Sequence, residues 1–217
     1  MSTRQFGTDD TGRNPFIPRL MGTQGAVATE HYLSAQVAAD ILKAGGNAID
    51  AAVAATLVEN LVNANMFTLG GECPMVIYHA ATGKITAVNG NMAAPEKATP
   101  EAFMERGFKD IPADSFLTAG VPAAFSALVT ALSRFGSLSF AEVCAPARHY
   151  AANGFPVHKG LIHQPRFGIS VLADQFRANW PGSAALYLPG GKVPAARRPR
   201  SWPGRVQCRH HRAGSTR

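Results

Sequence analysis

The side chains that could do chemistry are few and scattered along this chain of 217 residues. The three cysteines are far apart and none stands in a Cys-x-x-Cys pair, so neither a disulfide framework nor a zinc site is expected. Cys208, His210 and His211 offer three ligands, but no fourth ligand has suitable spacing, and we predict no metal and no cofactor. The remaining histidines form no constellation and receive no role: His31, His79, His149, His158 and His163.

Two glycine-containing stretches have the composition of ligand-contacting loops. Gly70-Gly71 precedes an apolar run and could bind an anion through backbone amides, although a tight structural turn is the favoured interpretation. Asn89-Gly90-Asn91 follows a second apolar run, where Asn91 could contact a substrate or only form the turn. Cys73 is interpreted as a small buried side chain rather than as a reactive thiol.

Two helices with well-marked ends should support these loops. Apolar residues recur at helical spacing from Leu33 to Leu42, and Gly45-Gly46 predicts the end of that helix. Asn47 predicts the N-cap of a second helix over about residues 48–61, with Asp50 favourable in its first turn. Since this second helix is apolar all round, we expect it to be buried on every side.

The rest of the chain predicts a short hairpin and further helices. Strands over Pro74–Tyr78 and Lys84–Val88 should form the hairpin, and Gly25–Thr29 is a further candidate strand. Thr99 should cap a helix that begins at a proline. Three more helices are expected at about Ala123–Arg134, Phe140–Ala152 and Ile169–Ala178. Pro146 lies inside the second of these and should kink or divide it.

Composition and charge divide the chain into three segments. Hydrophobic residues make up 46% and charged residues 16% of the chain, which is typical of a folded protein. The formal net charge is +7, yet residues 192–217 contain one Lys, seven Arg and no acidic residue, which leaves 13 basic and 14 acidic residues before them. We therefore predict a flexible lead-in at 1–24, a folded region at 25–191 and a disordered basic Arg/Pro-rich tail at 192–217.

No segment of the sequence indicates a membrane or a secretory route. Residues 1–20 lack the continuous apolar run of a signal peptide. Apolar stretches elsewhere fall short of the roughly 18 residues that a membrane helix needs. A cytoplasmic location without a membrane partner is therefore expected.

A family resemblance begins at the first two predicted helices. The sequence from Ala44 to Ala54 reads AGGNAIDAAVA, in which the double glycine, the Asn cap and the Asp stand at fixed offsets. Four further stretches follow in order: Leu69-Gly70-Gly71, Ala94-Pro95 with Lys97-Ala98-Thr99, Gly120-Val121-Pro122, and Pro146-Ala147 followed by Gly154-Phe155-Pro156-Val157. By these motifs, residues 25–191 resemble the gamma-glutamyltranspeptidase family, whose members are gamma-glutamyltransferases and glutathione hydrolases.

The resemblance implies an α+β fold of the N-terminal nucleophile (Ntn) hydrolase type, with four layers in the order αββα. This chain would supply a helix-rich part of the large subunit with a short β-hairpin. In the family, the N-terminal Thr of a separate small subunit attacks a gamma-glutamyl amide, and its own amine can serve as the base. The chain is expected to stop before that Thr, so the small subunit would be its missing partner and a gamma-glutamyl or other amide its substrate. We assign no catalytic residue, and Ser215-Thr216 is no candidate because only one residue follows it.

The family also implies one substrate contact in the large subunit. An Arg shortly before the Ala-Pro pair grips the alpha-carboxylate of the substrate. Four residues before Pro95 this chain has Asn91, which is therefore the candidate substrate-binding residue. The presence of Asn91 instead of this Arg favours a divergent branch of the family that acts on other acyl amides. Glu72 and Cys73 also depart from the family's glycine-rich pattern.

Several functions remain open at the level of sequence. The first is a gamma-glutamyltransferase or glutathione hydrolase fragment that is inactive alone. The alternatives are a non-catalytic binding or scaffold remnant and a divergent amide acylase fragment. Nucleic-acid binding through the basic tail is disfavoured because aromatic residues hardly interleave with its arginines. After Gly191 the sequence leaves the family pattern, which we interpret as a frameshift or a mispredicted gene end near Val193.

Overall fold

The computed structural model describes residues 21–112 and 115–194, so the predictions for residues 1–20 and 195–217 lie outside its described part. Within that part the backbone forms eight α-helices and two antiparallel strands, with 3₁₀ turns at Phe116–Thr118 and Pro189–Gly191. The helices are α1 Tyr32–Lys43, α2 Ala48–Val62, α3 Pro100–Met104, α4 Ala124–Phe135, α5 Phe140–Asn153, α6 Lys159–His163, α7 Ile169–Asn179 and α8 Pro181–Tyr187. The strands are β1 Met75–His79 and β2 Lys84–Val88. None of these helices has both the length and the apolar character needed to span a bilayer.

The end of α1 is set by the double glycine. Gly45 has a φ of 94°, a left-handed conformation that glycine adopts without a steric penalty. The N–H groups of Gly45 and Gly46 donate to the carbonyl oxygens of Leu42 and Ile41 at 3.1 and 3.0 Å, which is the Schellman pattern of a helix end. The predicted stop is therefore confirmed.

The start of α2 is fixed by a reciprocal cap. Asn47 Oδ1 accepts the N–H groups of Ile49 and Asp50, while Asp50 Oδ2 accepts the N–H of Asn47 at 2.8 Å. The same Asp50 carboxylate accepts the N–H groups of Ser137 and Leu138. The sequence predicted the cap, and the structure adds that it ties α2 to the loop between α4 and α5.

The main core surrounds α2. Its buried apolar side chains come from α1, α2, α4 and α5: Leu33, Val37, Val53, Ala54, Leu57, Val58, Val62, Leu128, Leu132, Val143 and Ala147. The prediction that α2 is buried on every side is wrong for one face, because Ala48 and Ala52 are exposed. These two alanines border an open groove of about 580 Å³, and no described element covers them.

The predicted hairpin is present, one residue later in its first strand. β1 and β2 pair antiparallel with Ile77 opposite Thr86 and Tyr78 opposite Ile85. Ile77 is buried, whereas Tyr78 and Ile85 on the other face are 65% and 72% exposed. The candidate strand at Gly25–Thr29 is wrong in the described structure, because this segment pairs with no strand there and lies along α1 and α2.

Proline does not divide α5. Ser139 and Glu142 form a capping box at its start, and the helix runs unbroken through Pro146 to Asn153. Val143 and Ala147, on either side of the proline, are buried against the main core. Of the two expected effects, division is wrong, since the cap and the buried face hold the helix together although Pro146 lacks one backbone donor. A kink at Pro146 stays a prediction.

A second, smaller core joins α6, α7 and α8. Its buried residues are Leu161, Ile162, Ile169, Ala173 and Leu188. Phe155 packs against both cores and so links them. Of these three helices only α7 was predicted. The five residues of α6 and the seven of α8 are too few to show a helical period in the sequence.

Candidate functional site

Three segments that are far apart in the sequence meet beside the start of α4. We call them the loop junction; they are residues 70–73 before β1, residues 89–93 after β2, and residues 120–124. The N–H of Cys73 donates to the carbonyl oxygen of Gly90 at 2.9 Å. The N–H of Val121 donates to the carbonyl oxygen of Ala93 at 2.8 Å, within an isolated antiparallel bridge. Backbone bonds therefore hold the middle segment on both sides.

The glycine pair of the loop junction is a structural turn. The N–H of Gly71 donates to Thr68 O at 3.0 Å, so it is not available to an anion. The Gly71 carbonyl oxygen accepts the N–H groups of Ala123 and Ala124 at 3.1 and 3.0 Å, and these are donors that the start of α4 would otherwise leave without a partner. The geometry fits the turn interpretation that the sequence favoured.

Gly90 allows the segments to approach more closely than any other residue would. It is buried, and a Cβ at this position would overlap the Cys73 carbonyl oxygen and lie 2.8 Å from Ala127 Cβ. A Cβ at Gly120 would lie 2.9 Å from Met92 Cβ. Both glycines therefore fix the path of the chain around position 91.

Asn91 stands on the exposed side of this fixed segment. Its backbone N–H and its side-chain Nδ2 both donate to Asn89 Oδ1, at 3.3 and 3.0 Å. Both residues are exposed. Asn89 thus orients the Asn91 amide by accepting from its Nδ2. The arrangement forms a turn and also presents a polar group, so it is compatible with either role proposed for Asn91.

Cys73 is not in the environment of a nucleophile. Its thiol is half-buried and packs against the main core, and burial raises its pKa above the ordinary 9.0. The thiol is therefore protonated at neutral pH, whereas a reactive cysteine needs a stabilised thiolate. Its neighbour Glu72 is exposed and borders the same open groove.

Two hydroxyl groups lie close to an imidazole. Thr82 Oγ1 is 2.9 Å from His79 Nδ1 in the hairpin turn. Ser170 Oγ is 3.5 Å from His163 Nδ1 but donates its proton to Ile162 O at 2.7 Å. Both pairs are exposed, and within the described residues no carboxylate bonds to either ring. They lack the orienting third group that base-activated nucleophiles use.

Sequence reasoning missed a polar cluster at the end of α2. The rings of His31 and His158 lie 4.7 Å apart between centroids. Beside them Asn63 Nδ2 donates to Glu30 Oε2 and to Glu59 Oε1, at 2.8 and 2.9 Å. The one signal in the sequence was that each histidine directly precedes a helix start, a position that offers a side chain to the first turn.

Some sequence-based candidates lie outside the described residues. These are the possible metal ligands Cys208, His210 and His211, and the basic tail on which nucleic-acid binding would depend. Within residues 21–112 and 115–194, no three His, Cys, Asp or Glu side chains are grouped to hold a metal ion. The assignments in the tail stay predictions.

The match to a known family covers the α1–α2 region and the loop junction. A sequence profile described as Gamma-glutamyltranspeptidase matches residues 34–204. The chain belongs to the gamma-glutamyltranspeptidase family. The matched range contains the α1–α2 signature and all three segments of the loop junction, so the predicted resemblance is confirmed.

Two relatives of this chain are named as proenzymes. It is 37% identical to the glutathione hydrolase proenzyme of Bacillus subtilis over 168 residues, covering 73% of this chain and 29% of that protein. It is 36% identical over 181 residues to the acylase ACY 1 proenzyme of a Pseudomonas species, covering 79% and 31%. The structure matches the Helicobacter pylori gamma-glutamyltranspeptidase with a TM-score of 0.75 at 24% identity, covering 83% and 51%.

These matches confirm the predicted fold and show that the chain corresponds to only part of its relatives. The fold is that of an Ntn hydrolase, of which the described part of this chain forms a helix-rich portion with one hairpin. The chain spans about three tenths of the length of the curated relatives it matches. The role of Asn91 is not tested by them and stays a prediction.

Proposed function

We propose that this chain is the large-subunit part of an amide-cleaving acyl-transfer enzyme. The reaction of the whole enzyme is the cleavage of a gamma-glutamyl or related amide, with transfer of the acyl group to water or an amine. One observation carries the proposal: the family segments converge in the loop junction and present Asn91 on its exposed side. A segment held by backbone bonds on both sides is suited to position a substrate group.

The proposed partner is a small subunit that supplies the N-terminal Thr and its amine. The described hydroxyls and thiol support this division of labour, because Ser170 donates to a backbone carbonyl and Cys73 is a protonated, half-buried thiol. We propose that the 217-residue chain alone does not turn over substrate.

A second candidate concerns the substrate rather than the reaction. Asn91 stands where the family's carboxylate-binding Arg would stand, and a neutral amide binds a carboxylate less tightly than a guanidinium does. One relative of similar identity is named an acylase. These two observations favour an acyl amide without an alpha-carboxylate over a gamma-glutamyl amide.

The first test uses the purified chain. We expect no release of p-nitroaniline from gamma-glutamyl-p-nitroanilide above the buffer rate, because residues 21–112 and 115–194 place no hydroxyl or thiol beside an oriented base. Reproducible turnover by this chain would contradict the proposed division between the two subunits.

The second test transplants residues 89–95 of this chain into an active relative. The loop of the Bacillus subtilis glutathione hydrolase that aligns with residues 89–95 is replaced by this segment. The loss of a charge-assisted contact should lower kcat/KM for the gamma-glutamyl substrate by about 10-fold or more, with little effect on butyryl-p-nitroanilide. The matched control carries Asn91→Arg in the same transplant and should regain gamma-glutamyl activity. Unchanged gamma-glutamyl activity in the Asn91 transplant would remove position 91 from the substrate site.

A further inference from the structure

Two histidines cap two helices and touch each other. His31 Nδ1 accepts the N–H of Leu33 in the first turn of α1 at 3.2 Å. His158 Nδ1 accepts the N–H of Leu161 in the first turn of α6 at 3.3 Å. The two rings lie 4.7 Å apart at an interplanar angle of 59°. The contact therefore joins the start of α1 to the start of the α6–α8 unit.

The hydrogen bonds define the protonation state of both rings. A nitrogen that accepts a backbone N–H carries no proton, so each neutral imidazole has its proton on Nε2. His158 Nε2 accordingly donates to the carbonyl oxygen of Val62, the last residue of α2, at 3.0 Å. The Nε2 of His31 is buried and has no hydrogen-bond partner among the described residues. Neutral His158 thus binds α6 to α2 as well as to α1.

The surroundings of His31 oppose a positive charge. Its side chain is buried, with the Tyr32 ring stacked on one side at 4.5 Å and His158 on another. Burial and the nearby His158 lower the pKa of His31 below the ordinary 6.5, whereas the Glu59 carboxylate acts in the opposite direction. Glu59 is itself engaged, because its Oε1 accepts from Asn63.

Other contacts between the two cores are sparse. Within residues 21–112 and 115–194, Phe155 packs against both cores. A cavity of about 290 Å³ lies between them, lined mainly by apolar side chains that include Leu61 and Tyr150 from one side and Leu186 from the other. An interface that contains a cavity has fewer close contacts to hold it, so the histidine bonds carry a larger share.

We propose that His31 and His158 form an acid-operated clasp, which holds the α6–α8 unit on the α1–α2 pair while the His31 ring is neutral and releases it when His31 takes up a proton. A proton taken from solvent onto His31 Nδ1 places an N–H against the N–H of Leu33, so the cap of α1 is lost. A charged His31 also stands buried against the His158 ring, 4.7 Å away between centroids.

The pH window follows from the direction of the His31 shift. A histidine whose folded pKa is depressed contributes stability that is fully present above its unfolded pKa and is lost as the pH falls. Release should therefore begin below the ordinary histidine pKa of 6.5. The opening equilibrium should rise by up to about tenfold per pH unit for each proton taken up.

Hydrogen–deuterium exchange of the full chain tests the clasp directly. Exchange is measured at pH 7.5, 6.5 and 5.5 by mass spectrometry and corrected for the intrinsic pH dependence of the amides. On acidification, exchange in peptides from residues 157–166 should rise by up to about tenfold per pH unit. Exchange in peptides from α2 should not rise. The double variant His31→Asn/His158→Asn keeps a capping oxygen without a titrating ring and should show a flat profile.

A control variant tests whether the acid response is particular to His31 and His158. His149→Asn removes an exposed histidine of α5 and should keep the wild-type profile. A flat wild-type profile, or acid-dependent opening retained in the double variant, would overturn the proposal. Should the double variant not fold, nitrogen-15 NMR of wild-type His31 and His158 decides the matter alone. The proposal requires a proton on Nε2 and none on Nδ1 at pH 7.5, and the reverse tautomer in either ring refutes it.

Discussion

At the scale of single residues, Asp50 joins distant parts of the chain. Its buried carboxylate accepts the N–H groups of Asn47, Ser137 and Leu138 and the hydroxyl of Ser137 at 2.6 Å. Burial by itself raises the pKa of this carboxyl, but the hydrogen bonds from Ser137, Asn47 and Leu138 outweigh it and hold the pKa below the ordinary 3.8. The charge is therefore part of the folded framework.

The first prediction concerns the removal of this carboxylate. Asp50→Ala leaves buried N–H groups without an acceptor and should lower the free energy of unfolding by about 3 kcal/mol or more. Asp40→Ala in α1 is the control, since it removes only an exposed 3.5 Å ion pair with Lys43 and should cost less than about 0.5 kcal/mol. Urea denaturation measures both; equal losses would show that the Asp50 network contributes little.

The second prediction is the acid limb of stability. Because the folded pKa of Asp50 is depressed, its contribution is present above pH 3.8 and is lost as the pH falls through the folded value. Urea midpoints measured from about pH 5 to about pH 2.5 should therefore fall more steeply in the wild type than in Asp50→Asn. Parallel curves for the two proteins would assign the acid limb to other carboxyl groups.

At the scale of elements, the loop junction depends on the absence of a side chain at Gly90. A methyl group there meets the Cys73 carbonyl oxygen and Ala127 Cβ, and the backbone of neither segment can move without losing the Cys73 to Gly90 bond. The junction is thus sensitive to a change of one methyl group in a way that an ordinary loop is not.

The third prediction compares two glycine substitutions. Gly90→Ala should lower the free energy of unfolding by about 2 kcal/mol or more through overpacking. Gly182→Ala places a methyl group in open space within α8 and should be neutral or stabilising by up to about 1 kcal/mol. Thermal unfolding of both variants gives the comparison, and a neutral Gly90→Ala would mean that the segments are not closely packed.

The sequence predicted those elements whose ends are determined by residues close to them in the chain. The double glycine after α1, the Asn47 cap and the hairpin were found because each depends on neighbouring residues. The strand at Gly25–Thr29 was wrong because a strand needs a partner, which local sequence does not specify. Asn91 was located through a motif. The contact of His31 with His158 was missed because only packing of α6 against α1 and α2 brings the two rings together.

At the scale of the whole molecule, the hairpin leaves an apolar face open. Val76, Tyr78 and Ile85 are 78%, 65% and 72% exposed. Within the described residues, β1 and β2 pair only with each other, so each also has a free edge. Exposed apolar faces and free strand edges favour association between molecules.

The fourth prediction is that the chain self-associates through this face. Light scattering after size exclusion should give a mass above that of the 22.9 kDa monomer. The double substitution Tyr78→Lys/Ile85→Lys places two charges on the face and should shift the distribution to the monomer. Met104→Lys, at an exposed residue of α3, is the control and should leave association unchanged. A monomeric wild type would contradict the prediction.

The division of catalysis between this chain and a separate nucleophile is best tested by looking for a covalent intermediate. The purified 217-residue chain is incubated with gamma-glutamyl-p-nitroanilide and, separately, with butyryl-p-nitroanilide, quenched in acid and examined by intact-mass spectrometry. Because acyl transfer of this kind passes through an ester on the nucleophile, an enzyme with its own nucleophile accumulates or transiently shows an acylated species. We predict an unmodified mass at every time point with both substrates, and an acylated chain would contradict the division of catalysis between two subunits.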